Sequence, residues 1–126
     1  MKKIISTDKA PKAIGPYSQA VEANGTLYIS GQIPMNPQTG QVVEAEITKQ
    51  TEQVMQNIAA ILEAAGYTFA DVVKSTVLLN DIKNFAAMNE VYGKYYTENP
   101  PARAAYQVCN LPLGVLVEIE TIAVKS

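Results

Sequence analysis

The chain has 126 residues, a formal net charge of -2 and a pI near 5.1, from 10 cationic and 12 acidic side chains. A single domain of this length buries roughly two thirds of its unfolded surface, and with no basic run beyond Lys2-Lys3 a nucleic-acid surface has no electrostatic support. There is no histidine, which removes Ser-His-Asp and Cys-His nucleophiles and histidine metal sites, and the lone Cys109 excludes an internal disulfide.

Other exclusions follow. No Gly-x-Gly and no glycine-rich loop before a lysine is present, so a nucleotide cofactor has no support. The apolar runs are too short for a bilayer, and MKKIISTDKAPK lacks the apolar region of a signal peptide. A single soluble, cytoplasmic domain over 1–126 is expected, without metal, cofactor or membrane partner. Asn24-Gly25-Thr26 matches a glycosylation sequon, but in such a chain it reads as a hairpin turn.

Taken in order, Lys2 to Ser6 is a short strand, followed by a loop through Pro11, Gly15 and Pro16. Gln19–Ala23 and Thr26–Ser30 are strands around Asn24-Gly25, a pair suited to a two-residue type I′ turn. The second strand stops at Ser30-Gly31-Gln32, where Gly31 serves either a close backbone approach or an ordinary loop. Pro37 to Gly40 is a turn. From Glu46 or Thr48 to Ala65, Val54, Met55, Ile58, Ile61, Leu62 and Ala65 recur at helical spacing, with Gln50 and Gln53 among the polar positions. Gly66 ends this amphipathic helix.

Asp71–Leu79 is a β-branched strand. A second helix begins at Asp81 or Asn84, buries Phe85, Met88, Val91, Tyr92, Tyr95 and Tyr96, and is stopped by Asn99-Pro100-Pro101. Asn89 lies beside that stripe, where the pattern alone favours a helix-surface or helix-packing amide over a ligand role. The order β, ββ, α, β, α, ββ specifies an α+β fold with one mixed sheet and both helices on one face. Strand faces carrying Leu27, Ile29, Val77, Leu79, Val117 and Ile119 are too apolar to leave in water, so an oligomer burying the helix-free face is expected.

The chemistry concentrates between Asn99 and Val124. Arg103 is the only arginine, and its rigid charged fork suits a carboxylate bidentately. It opens a strand reading Ala104 to Cys109, with Arg103, Ala105, Gln107 and Cys109 on one face. The strand from Val115 sets Val117, Ile119, Thr121 and Ala123 against Glu118 and Glu120. Two readings fit: a surface ion pair, contributing at most about 1 kcal/mol, or a ligand site.

The segments IGPYSQA, YISGQIPMNPQTG, NIAAILEAAG, VVKSTVLLNDIKNFAAMNEVY, PPARAAYQV and LPLGVLVEIETIAV match the Rid family in order, spacing and content. Over essentially its whole length the chain resembles the RidA-type reactive intermediate deaminases. That resemblance implies a chorismate-mutase-like subunit and a homotrimer forming a central β-barrel, with three sites between neighbouring subunits. It gives Arg103 the substrate carboxylate and Glu118 the attacking water. Tyr17, Ser30, Gly31 and Asn89 then line or support the pocket. Many relatives carry a cysteine two residues after the arginine; this chain has Ala105, which keeps the backbone carbonyl that the position contributes. Cys109, four residues further on, reads as a small buried or interface residue.

The activity so implied is hydrolysis of short 2-imino acids to 2-oxo acids and ammonia, with Glu120 as a second candidate for the carboxylate that handles the water. The same pocket also suits a sensor of 2-oxo or amino acids without turnover. Ribonucleolytic behaviour, linked to the wider family, is disfavoured by the charge. A chorismate mutase would want more cations than Arg103 for its dianionic substrate.

Overall fold

The computed structural model describes residues 1–125. In chain order its elements are β1 (Lys3–Ile5), β2 (Ala20–Ala23), β3 (Thr26–Gln32), β4 (Met35–Asn36), β5 (Gln41–Val42), α1 (Ile47–Ala65), β6 (Val72–Leu79), α2 (Phe85–Gly93), β7 (Ala102–Gln107) and β8 (Val117–Val124). Six strands form one mixed sheet in the order β1-β2-β3-β8-β6-β7, and β4 and β5 form a separate small hairpin. Among the described residues only the β6–β7 pair is parallel, and α2 makes the crossover between the two strands. The fold is α+β, and both helices pack on one side of the sheet and against each other.

Local chemistry explains most of these boundaries. Asn24 and Gly25 both take positive φ, 51° and 74°, as a type I′ turn demands. Glu46 caps α1, its carboxylate accepting from the Thr48 and Lys49 amides, and Gly66 closes the helix in the left-handed region at φ 81°. Gly40, at φ 72°, closes the β4–β5 turn by donating its N–H to the Asn36 carbonyl at 2.8 Å. No described helix is long and apolar enough to cross a membrane.

Three expectations need correction. Helix α2 ends at Gly93 rather than running to Asn99. Beyond it the amides of Lys94, Tyr95 and Tyr96 reach back three residues, so the chain continues as tight turns while Tyr96 stays buried. The strand opening at Arg103 runs Ala102–Gln107, which leaves Cys109 beyond its end and exposed in this chain.

The third correction concerns the faces. Leu27, Ile29, Val77, Leu79, Val117 and Ile119 are the core face, fully buried beneath the helices, and not the face left over. Alternation delivers a different apolar set to the helix-free side. There Tyr28, Tyr106 and Val124 remain about half exposed, around Leu78, Ile122 and the two carboxylates Glu118 and Glu120.

Candidate functional site

Arg103 is the second residue of β7, paired with Ser75 of β6, whose side chain is fully buried on the core face. The arginine therefore points to the helix side and meets α2. Its Nη1 donates to Asn89 Oδ1 at 2.6 Å, and its guanidinium carbon lies 5.0 Å from the Tyr92 ring centroid and 5.5 Å from that of Phe85. Phe85, Asn89 and Tyr92 follow one another by four and three residues, the spacing of a single helix face. Among the described residues the sole ion pair is Lys49–Glu44, so the surface bridge that the sequence allowed to Arg103 is not formed. The fork is held by an amide and two rings while its charge stays uncompensated. Beside it lies a groove of about 520 Å³ walled by Asn89, Tyr92, Gly93, Tyr96, Pro100 and Pro101, ample for an acid of three or four carbons.

β7 is the edge strand of the sheet, which exposes half of its backbone groups. Val108 donates its N–H inward to the Leu79 carbonyl. Strand alternation then turns the N–H and C=O of residues 103, 105 and 107 to the open edge. The Ala105 carbonyl is thus available without any thiol at that position.

Glu118 occupies the other face. It pairs with Leu78 across β8–β6, and its carboxylate rests so closely against Gly31 that any Cβ there would fall on it. Gly31 sits in an irregularity where β3 loses register with β8 between Ile29 and Gln32. Burial pushes the Glu118 carboxyl above the usual range, and repulsion by Glu120 adds to it. Ser30 is tied to the same neighbourhood, donating its hydroxyl to the Ser18 carbonyl at 2.6 Å and its N–H to the Gln19 carbonyl at 3.0 Å. Tyr17, next to Ser18, is half exposed, and its hydroxyl accepts the Ile14 amide at 3.3 Å.

The expected residues therefore form two groups. Arg103, Asn89 and Ala105 gather at the β7 edge on the helix side. Glu118, Gly31 and Ser30 gather on the opposite face around β3 and β8, with Tyr17 in the adjoining loop. Two strand spacings, about 10 Å, separate β7 from β8, and the sheet itself stands between the two carriers of charge. One chain cannot bring Arg103 and Glu118 to the same small molecule.

The family model described as endoribonuclease L-PSP matches residues 7–125. The chain belongs to this family, the Rid (YjgF-like) proteins. Its relatives include a RutC family protein of Pyrococcus horikoshii, 57% identical with both chains covered completely. A human protein named 2-iminobutanoate/2-iminopropanoate deaminase is 52% identical over the whole of this chain and 92% of its own length. Among solved structures, RidA from an Antarctic Psychrobacter superposes with a TM-score of 0.94 at 50% identity, covering 98% of this chain and 99% of that one. Escherichia coli TdcF with bound serine gives 0.94 at 43% identity, with the same coverage.

Sequence reasoning about this Rid chain missed the two rings that hold Arg103, because Phe85 and Tyr92 read as ordinary core aromatics. Their offsets of four and three residues from Asn89 were the available signal. It also missed the buried amides of Gln19, Gln50 and Asn57, which hold loops in place.

Proposed function

We propose that the chain is a cofactor-independent hydrolase that converts short 2-imino acids, 2-iminopropanoate and 2-iminobutanoate among them, to 2-oxo acids and ammonia, and so protects pyridoxal-phosphate enzymes from the enamines they release. The observation that carries this reading is Arg103: an oriented guanidinium with no carboxylate partner among the described residues, beside a groove of matching size. Support for the chemistry comes from the human, goat and cattle relatives named as deaminases, at 52%, 55% and 55% identity.

The chemistry asks little of the protein beyond placement. The protonated imine carbon is already electrophilic, so a clamp on the carboxylate and an oriented water suffice. Arg103 takes the carboxylate bidentately. Glu118, its carboxyl held above the usual carboxylate range, accepts a proton from the attacking water and returns it to the departing amine. Water adds to the iminium carbon as its C=N π bond opens, giving a carbinolamine. Once its nitrogen is protonated, the C–N bond breaks as the hydroxyl proton leaves through Glu118 and C=O forms, so that water plus iminium gives the 2-oxo acid and ammonium. The Ala105 carbonyl helps to orient the water, the Gly31 N–H is a second anion contact, and Tyr17 and Ser30 close the pocket.

Because Arg103 and Glu118 lie on opposite faces, the complete site is composite: the β7 edge of one chain faces the Glu118 side of another. A cyclic homotrimer whose helix-free faces line a central barrel satisfies this requirement and covers Tyr28, Tyr106 and Val124. The decisive assay generates the imine in situ with an amino-acid oxidase and follows 2-oxo acid release. Acceleration by wild type but not by Arg103→Ala is expected; no acceleration by folded wild type overturns the reading. The serine in the E. coli TdcF structure favours a second reading, a sensor of small amino or 2-oxo acids. Affinity without ammonia release would select it.

A further inference from the structure

We infer that Tyr92, seconded by Phe85, is a positioning residue for Arg103, acting through its ring and not through its hydroxyl. The inference rests on the carboxylate-binding role proposed for Arg103. An arginine side chain has several rotatable bonds, and a fork that must meet a carboxylate in one plane gains from losing that freedom before the ligand arrives. Asn89 fixes one Nη1 proton but leaves the plane free to turn about that single bond. Rings at 5.0 and 5.5 Å from the guanidinium carbon supply the missing constraint, because a cation over two aromatic faces has a preferred tilt as well as a preferred place.

The platform is itself rigid. Tyr92 is buried and packs on Tyr96 at 4.7 Å between ring centroids, and Tyr96 meets Phe69 edge-on at 5.3 Å. Ser75, the strand partner of Arg103, lies in the core beneath. Among the described residues the hydroxyls of Tyr92, Tyr96, Ser75 and Thr121 are all buried without a hydrogen-bond partner. The Tyr92 hydroxyl is directed to the core around Ser75 and is not the part that meets Arg103, whereas removing the ring takes away the surface on which Arg103 lies.

The contrast between Tyr92→Phe and Tyr92→Leu tests this. With imine generated in situ, Tyr92→Leu should raise KM about fivefold, the upper scale of one exposed cation–π contact, with kcat within about twofold. The affinity for 2-oxobutanoate, measured by calorimetry, should fall by the same factor. Tyr92→Phe should restore both parameters to within about twofold of wild type. Equal losses in the two variants, or a fall in kcat at constant KM, would overturn the ring's role. If Tyr92→Leu does not fold, Phe85→Leu takes its place, with a rise of about threefold expected and an unchanged KM overturning the inference. Wild-type protein with neither turnover nor affinity for 2-oxobutanoate overturns the functional reading and this one with it. Arg103→Ala losing affinity while Tyr92→Leu keeps it overturns this inference alone.

Discussion

Glu118 and Glu120 stand two residues apart on one face of β8, and their mutual repulsion adds to the burial that holds Glu118 above the usual carboxylate range. A base in that position works only when ionised, so the acid limb of kcat/KM should follow Glu118. Glu120→Gln removes the repulsion and should move that limb to lower pH; an unmoved limb would mean that Glu118 is not the base. The same shift affects stability. The folded state binds the Glu118 proton more tightly than the unfolded chain does, so its contribution is full below the unfolded value of about 4.3 and is lost as pH rises through the raised folded one. Glu118→Gln should thus be more stable to urea than wild type at pH 7, with the gap closing in acid. Gly31 is linked to this carboxylate directly. Gly31 is not among the residues at positive φ, so the backbone accepts alanine there, but the new Cβ would displace the Glu118 carboxylate. Gly31→Ala should keep its folding free energy to within about 1 kcal/mol and lose activity by roughly a hundredfold, the scale of a misplaced base. The sequence showed a glycine suited to close approach at a strand end. What approaches it was not legible, because that depends on a register slip against a strand far along the chain.

Helix α1 was legible nearly to the residue, because its apolar spacing, its acidic cap and its terminal glycine all agree. Its polar face was misread. Gln50 is fully buried, taking the Leu116 N–H at 2.8 Å and donating to the Val43 carbonyl at 3.3 Å, so one side chain joins the loop before α1 to the entry of β8. Asn57 donates to the carbonyls of Ile33 and Met35, and Gln19 gathers Thr7, Ala10 and Pro11. An amide that replaces water for loop backbone has the same letter and spacing as a solvated one, which is why periodicity overlooks it. Gln50→Leu keeps the volume but strands the part-buried Leu116 N–H, and should cost about 1–3 kcal/mol in urea unfolding. A cost below about 0.5 kcal/mol would mean that the Leu116 amide finds another acceptor. The early end of α2 has a related cause: the tyrosines after Gly93 keep their burial by turning, so a continuous apolar stripe did not require a continuous helix.

For the whole molecule, the sequence supported the need for partners by an argument that named the wrong residues, since the most apolar strand positions lie under the helices. The proposal of a partner chain rests instead on the register. β7 is an open edge with Arg103 on one face, Glu118 is on the other face two strands away, and the half-exposed Tyr28, Tyr106 and Val124 surround the carboxylate. If chains close on one another so that each site takes Arg103 from one copy and Glu118 from the next, then Arg103→Ala and Glu118→Gln are each inactive alone. Unfolded together in equal amounts and refolded, the two variants assemble at random. Each site then draws an intact arginine with probability one half and an intact glutamate from its neighbour with probability one half, so about a quarter of the wild-type activity per site should return in any closed ring. A site contained in one chain would return none, because no chain in the mixture carries both groups. Recovery should also vanish when Tyr106→Glu is present in both variants, since a charge on the covered face opposes assembly while leaving each core intact.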